Sequence, residues 1–118
     1  MDVCKTFSIE AARSLPHLPE NHPCSKIHGH SFKITLMVSG PVDKDTGFVM
    51  DFGELETLFE PLRKKIDHSY LNDIEGLENP SSENLCKWIW KKLILSLPRL
   101  SQIEIRETDS TNCIYKGD

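Results

Sequence analysis

His28-Gly29-His30-Ser31-Phe32-Lys33-Ile34-Thr35-Leu36-Met37-Val38 is the stretch that decides the fold. Its even positions are His28, His30, Phe32, Ile34, Leu36 and Val38. Its odd positions, carried on to Ser39, are Gly29, Ser31, Lys33, Thr35 and Met37. A period of two with one apolar row is the signature of a strand that buries one face. Both histidines fall on that face, two residues and so roughly 7 Å apart along the strand. Paired imidazoles at the end of an apolar row can chelate one ion, and catalytic zinc uses three protein ligands with one position left open. A lone strand histidine is more often a hydrogen-bonded structural residue, so the reading leans on its neighbours.

Upstream, residues 3–12 alternate Val3, Lys5, Phe7 and Ile9 against Cys4, Thr6, Ser8 and Glu10, a first strand. Three prolines, Pro16, Pro19 and Pro23, exclude a helix in the loop that follows. The loop delivers His17, His22 and then Cys24 just ahead of the histidine strand. Cys24 reads equally as a metal ligand, an apolar filler, or a nucleophile or base.

Downstream, Asp43-Lys44-Asp45-Thr46-Gly47 is a turn and Phe48-Val49-Met50 a short third strand. Asp51 with Glu54 looks like a capping box. Leu55, Leu58, Phe59, Leu62 and Ile66 follow at helical spacing, with Pro61 expected to kink that helix or restart it. Asp67-His68 closes it. A carboxylate beside a histidine can tune it for acid–base work, although the pair also suits an ordinary solvated helix end. Asn79-Pro80-Ser81-Ser82-Glu83 opens a second helix with a hydroxyl cap, continued by Leu85, Trp88, Ile89, Leu93 and Leu97. Ile103, Ile105 and Glu107 share one strand face. An acid on that apolar side is costly unless it holds a charge or a donor-rich ligand. Cys113-Ile114-Tyr115 makes a short terminal strand. The expected class is α+β: an antiparallel sheet with two helices on one face, a single domain over 1–118. Its open edges favour oligomers built by sheet extension.

The chain has 118 residues and a net charge of −4. That balance, with no basic block, argues against a nucleic-acid partner. No apolar run is long enough for a membrane span and no signal peptide is read, so no membrane partner is expected. Four cysteines, at 4, 24, 86 and 113, lack paired spacing and read as reduced thiols of a cytoplasmic protein.

A set of motifs carries a resemblance. Glu10-Ala11-Ala12, Leu15-Pro16-His17, Cys24 with His28-Gly29-His30, Asp51-Phe52, Asp67-His68, Tyr70-Leu71-Asn72-Asp73, Leu77-Glu78-Asn79-Pro80, Lys87-Trp88-Ile89-Trp90 and Glu107-Thr108 through Cys113-Ile114-Tyr115 resemble the 6-pyruvoyl-tetrahydropterin synthase family. Within it, the three-residue gap between Cys24 and His28 is similar to the queuosine branch, the 6-carboxytetrahydropterin synthases. The resemblance spans essentially the whole chain. It implies the tunnelling fold, with subunits joining sheets into a barrel, trimers pairing as a homohexamer, and zinc as cofactor. It implies 7,8-dihydroneopterin triphosphate as substrate and 6-carboxy-5,6,7,8-tetrahydropterin, acetaldehyde and triphosphate as products, within queuosine and 7-deazapurine biosynthesis. On the same footing Cys24 is the general base, and Asp67 and His68 form a relay across a subunit interface. Glu107 anchors the pterin with Thr108 beside it, and His28 and His30 are zinc ligands. The resemblance does not assign the triphosphate-binding groups; Lys26, next but one to Cys24, is a candidate from its position alone.

One position departs from the pattern. The family's first zinc ligand is a histidine directly after the Glu-Ala-Ala triplet, and here that place is Arg13. A guanidinium has no lone pair for a metal. Three arrangements stay open: His17 (or His22) replaces the ligand, Cys24 becomes a ligand and stops being the base, or Arg13 supplies a fixed charge to a metal-free site. Beside the carboxytetrahydropterin synthase stand two alternatives, a 6-pyruvoyl-tetrahydropterin synthase-like enzyme and a catalytically weakened or non-catalytic pterin-binding oligomer.

Overall fold

The computed structural model describes residues 1–117. The element order is β1 (Asp2–Arg13), β2 (His28–Ser39), α1 (Phe52–Ile66), β3 (Ser69–Tyr70), α2 (Ser82–Leu93), β4 (Leu100–Thr108) and β5 (Thr111–Tyr115), with one-turn helices at Pro23–Ser25 and Leu71–Asp73. The described strands form one sheet in the order β3-β1-β2-β4-β5. The β1–β2, β2–β4 and β4–β5 pairs are antiparallel, whereas β3 lies parallel to β1.

The period-two rows become the core. Ile9 and Ala11 of β1, Phe32, Ile34, Leu36 and Val38 of β2, and Ile103 and Ile105 of β4 are buried. Against them pack Leu55, Phe59, Leu62 and Ile66 of α1 and Leu85, Trp88, Ile89 and Leu93 of α2. Each helix starts on the cap that its sequence offers. The Asp51 carboxylate accepts from the Gly53 amide, and the Ser81 hydroxyl accepts from the Asn84 amide. Trp88 is in the core, and Trp90 is covered edge-on by Tyr115 of β5.

α2 ends at Leu93, short of the expected Leu97, and two further expectations do not hold in full. Phe48-Val49-Met50 is not a strand. Both edges of β2 are already occupied by β1 and β4, so the segment after β2 finds no free ladder beside it. It is held as a loop: Asp43 donates its amide to the Phe48 carbonyl, and the Arg99 guanidinium donates to the carbonyl of Val49. The free edge of β1 is taken instead by Ser69–Tyr70. Pro61 starts no new segment, since α1 runs through it from Phe52 to Ile66. Pro61 and Thr57, whose carbonyl loses its usual partner, both lie on the exposed side, where water can satisfy that oxygen. Pro61→Ala should therefore stabilise the protein by about 1–2 kcal/mol in urea titration, after allowance for the more flexible unfolded chain.

Candidate active site

At one end of the sheet three neighbouring strands change from apolar to polar on the same face. In β1 the buried row Ile9, Ala11 continues to Arg13, and in β2 the row Ile34, Phe32 continues to His30 and His28. The β1–β2 register sets Ala11 opposite His30 and Arg13 opposite His28. In β4 the row Ile103, Ile105 continues to Glu107. The β2–β4 ladder pairs Ile34 with Ile105 and Lys33 with Arg106, which brings Glu107 alongside Phe32. His28, His30 and Glu107, expected on apolar faces, thus lie on one face at one end.

The pair at the centre is Arg13 and Glu107. Arg13 is 3 % exposed. Its NH2 donates to Glu107 Oε1 at 2.6 Å, and its NH1 donates to the Pro80 carbonyl at 3.1 Å and to Ser82 Oγ at 3.4 Å. Its guanidinium carbon stands 5.1 Å from the centre of the Phe32 ring. Ser82, the first residue of α2, also donates to Glu107 through a short hydrogen bond. Burial alone pushes the Glu107 carboxyl up. The hydrogen bonds from Ser82 and Arg13, together with the charges of Arg13 and His30, outweigh it and hold the group below the usual glutamate range.

The imidazoles are fixed from the other side. His28 and His30 stand edge to face with centroids 4.8 Å apart, and His30 meets Phe32 at 5.7 Å. His28 Nδ1 is 2.7 Å from the Lys26 carbonyl, which can only accept, so Nδ1 carries the proton. The lone pair of a neutral ring is then on Nε2, and that atom is buried with no partner. Burial, then the charge of Arg13, lowers His30 below its ordinary value, with Glu107 opposing and His28 adding to the fall. His30 therefore senses Arg13, Glu107 and His28 together.

Asp67 and His68 sit at the end of α1. Asp67 Oδ1 accepts from the Glu10 amide at 2.9 Å and lies 3.1 Å from His68 Nδ1, while Oδ2 is 3.1 Å from Arg63. The Glu10 amide, against burial and with help from His68 and Arg63, holds the Asp67 carboxyl below its usual range. His68 has φ of 57°, a left-handed backbone rare outside glycine, and its side chain is 79 % exposed. His68 and His30 line one open groove that also includes Gly29 and Tyr70.

The remaining expected site residues are farther from this cluster's bonds. Cys24 lies in the one-turn helix Pro23–Ser25, capped by His22 and tied to Leu15 through its carbonyl; its thiol makes no hydrogen bond or ion pair among the described residues. Lys26 and His17 are exposed. Thr108 closes the β4–β5 turn, its hydroxyl 2.6 Å from that of Thr111. Two partners were not read from the sequence, Ser82 on Glu107 and Arg13 on Glu107. The second left a signal: Arg13 continues the buried row of Ile9 and Ala11, and a buried guanidinium needs an acid. Glu107 is an acid on another apolar row.

The chemistry of the donor set decides how a metal would fit. His28 offers a buried, unpartnered ring nitrogen, and burial with the Arg13 charge disfavours the cationic form of His30, both suited to a metal. The third place is a guanidinium, and no group of three His, Cys, Asp or Glu side chains is gathered as a metal set among the described residues. The arrangement does not fit a three-ligand zinc centre. What it does offer is an acid held by N–H and O–H donors, two imidazoles beside it, and a carboxylate–histidine pair at the groove's edge.

The chain matches the family of 6-pyruvoyl tetrahydropterin synthase over residues 2–118 and is a member of that family. It is 40 % identical to a 6-carboxy-5,6,7,8-tetrahydropterin synthase of Synechocystis sp., covering 96 % of this chain and 91 % of that one. It is 29 % identical to the 6-carboxy-5,6,7,8-tetrahydropterin synthase of Bacillus subtilis, over 95 % of this chain and 82 % of that one. The solved 6-pyruvoyl tetrahydropterin synthase of Caenorhabditis elegans superposes with a TM-score of 0.90 at 25 % identity, covering 100 % of this chain and 96 % of that one. Among the described residues, no helix is long and apolar enough to cross a membrane.

Proposed function

We infer that this chain is a carbon–carbon lyase, a 6-carboxytetrahydropterin synthase acting on 7,8-dihydroneopterin triphosphate in 7-deazapurine (queuosine) biosynthesis. The observation that carries the reading is the placement of Glu107 on the same face as His28 and His30, with His30 and Glu107 close enough to shift each other's titration. Membership of the family and the two carboxytetrahydropterin synthases similar to it support the same reaction.

The roles follow from the groups. A pterin presents a ring N–H and an exocyclic amine side by side, and a carboxylate takes both through charge-assisted bonds, about twice as strong as neutral ones. Glu107 takes that place, with the neighbouring Thr108 backbone at the mouth of the turn. The His28 and His30 lone pairs accept from the two side-chain hydroxyls. Cys24 is the base that removes the proton from the hydroxyl-bearing carbon, acting as its thiolate. His68, oriented by Asp67, returns a proton to the pterin ring. The change is internally redox-balanced: the dihydropterin ring gains two hydrogens as the side chain is oxidised. Triphosphate leaves from the terminal carbon, that carbon and its neighbour depart as acetaldehyde, and the second oxygen of the carboxyl left on the ring comes from water. Lys26, exposed beside the Cys24 turn, is placed to meet the triphosphate.

The groove holding His68 is open, and the sheet ends in the two-residue β3 on one side and β5 on the other. A barrel of joined sheets, assembled as a homohexamer, would close this groove with a second subunit. The protein would work in the cytoplasm as one domain.

Product analysis tests the reaction. Incubation with 7,8-dihydroneopterin triphosphate should yield acetaldehyde and 6-carboxytetrahydropterin in equal amounts. Accumulation of 6-pyruvoyl-tetrahydropterin without acetaldehyde would assign the chain to the pyruvoyl enzymes instead.

A further inference from the structure

We propose that Arg13 is an internal latch on the ligand-reading acid. In the resting chain its guanidinium occupies one oxygen, Oε1, of the Glu107 carboxylate that a flat heterocycle with two adjacent N–H donors must take. The inference rests on the pterin reading of Glu107 for its ligand, but the latch itself is a pairing within the chain.

The chemistry of the two competitors is alike. A guanidinium is planar and carries N–H donors in a fixed fork, as the amino-pyrimidinone edge of a pterin does. Arg13 is not a loose surface residue that happens to reach Glu107. It is 3 % exposed, enters from β1, lies over the Phe32 ring, and is steadied through NH1 by the Pro80 carbonyl and Ser82 Oγ. NH2 makes the bond to Glu107 Oε1. Ser82 Oγ donates to the same oxygen. The acid is thus supplied with donors by its own chain before any ligand arrives.

The latch is also incomplete. Arg13 Nε is buried and has no hydrogen-bond partner. A buried donor left unmatched is costly, so this is not the arrangement expected of a pair kept only for stability. A ligand that takes the carboxylate must first displace NH2, and the guanidinium then keeps its Pro80 and Ser82 anchors. Arg13 acts through Glu107 and is a positioning residue. It sets how tightly donor-edged rings bind, and it excludes rings that lack the paired donors, because these cannot replace what they displace.

The test is an equilibrium fluorescence titration of the full chain with neopterin, a pterin that lacks the triphosphate. The proteins are the natural chain, Arg13→Gln, Arg13→Lys, Glu107→Gln and the double Arg13→Gln/Glu107→Gln variant. Loss of one competing charge-assisted bond should tighten binding by Arg13→Gln about 10-fold to 100-fold. Arg13→Lys should fall between it and the natural chain, and the double variant should bind no better than Glu107→Gln. Methylguanidinium at millimolar concentration should compete with neopterin in Arg13→Gln and raise its melting temperature, while leaving the natural chain unchanged. A folded Arg13→Gln protein that binds neopterin no better than the natural chain overturns the latch. Should the glutamine variant lose its fold, the lysine variant carries the same comparison. If neopterin binds none of the proteins while methylguanidinium still raises the melting temperature of Arg13→Gln, the pairing stands and the pterin reading fails. If methylguanidinium has no effect either, the latch fails with it.

Discussion

His68→Gly should fold at least as stably as the natural chain and lose about 10²-fold to 10⁴-fold in turnover, the usual contribution of a positioned acid or base. The two halves of this result have separate causes. His68 holds φ of 57°, where a side chain costs about 1–2 kcal/mol and glycine costs almost nothing. What the imidazole gives back to the isolated chain is one contact with Asp67, on a side chain 79 % exposed. Exposed pairs of this kind contribute little. Strain kept at a side chain with so few contacts within the chain is the pattern expected of a position held for chemistry, which the activity half of this test measures. His68→Asn is the control: asparagine tolerates the left-handed backbone but cannot shuttle a proton, so it should match glycine in activity. Chemical denaturation and steady-state turnover, measured together, check both halves. Turnover within about threefold of the natural chain would remove His68 from the reaction.

The second large effect concerns the metal. Arg13→His restores the histidine that the family resemblance places after Glu-Ala-Ala. It lies directly across the β1–β2 ladder from His28, whose Nε2 has a free lone pair. Three imidazoles with an open fourth position complete a catalytic zinc set. Elemental analysis of purified protein should therefore rise from well under about 0.2 zinc per natural chain to about one per Arg13→His chain. The same substitution removes the guanidinium from Glu107, so zinc gain and tighter pterin binding should appear in one variant. About one zinc in both proteins would mean that the natural chain completes its metal set from the loop, through His17 or Cys24, and little zinc in either would mean that His28, His30 and a histidine at 13 do not form the set.

Most of the scaffold could be read directly from residue order. The rows Phe32 to Val38 and Ile103 to Ile105 repeat every two residues, and that period alone fixes which side is buried. Asp51 and Ser81 announce their helices because a cap acts within three residues of itself. The misses share a different character. Whether Phe48–Met50 pairs depends on which sheet edges remain free, and this is a property of topology rather than of the segment. Ser69–Tyr70 pairs with β1 only because α1 deposits the chain beside it. Pro61 is tolerated because of the face on which it lies. The site divides in the same way. His28, His30 and Glu107 were legible on faces, but their meeting depends on β1, β2 and β4 being adjacent. The Arg13–Glu107 bond joins residues 94 positions apart and is invisible to any local pattern. Arg13 showed that it cannot ligate a metal and that it could supply a fixed charge, but not which acid that charge would meet.

The central claim is that one end of the sheet holds a single ligand between an acid and two imidazoles. A crystal structure of the chain with bound neopterin measures this most directly. The account predicts the amino-pyrimidinone edge within hydrogen-bond distance of both Glu107 oxygens, the NH2 of Arg13 moved off, and the hydroxylated tail against His28 and His30. A pterin bound elsewhere, with the Arg13–Glu107 bond intact, would contradict it.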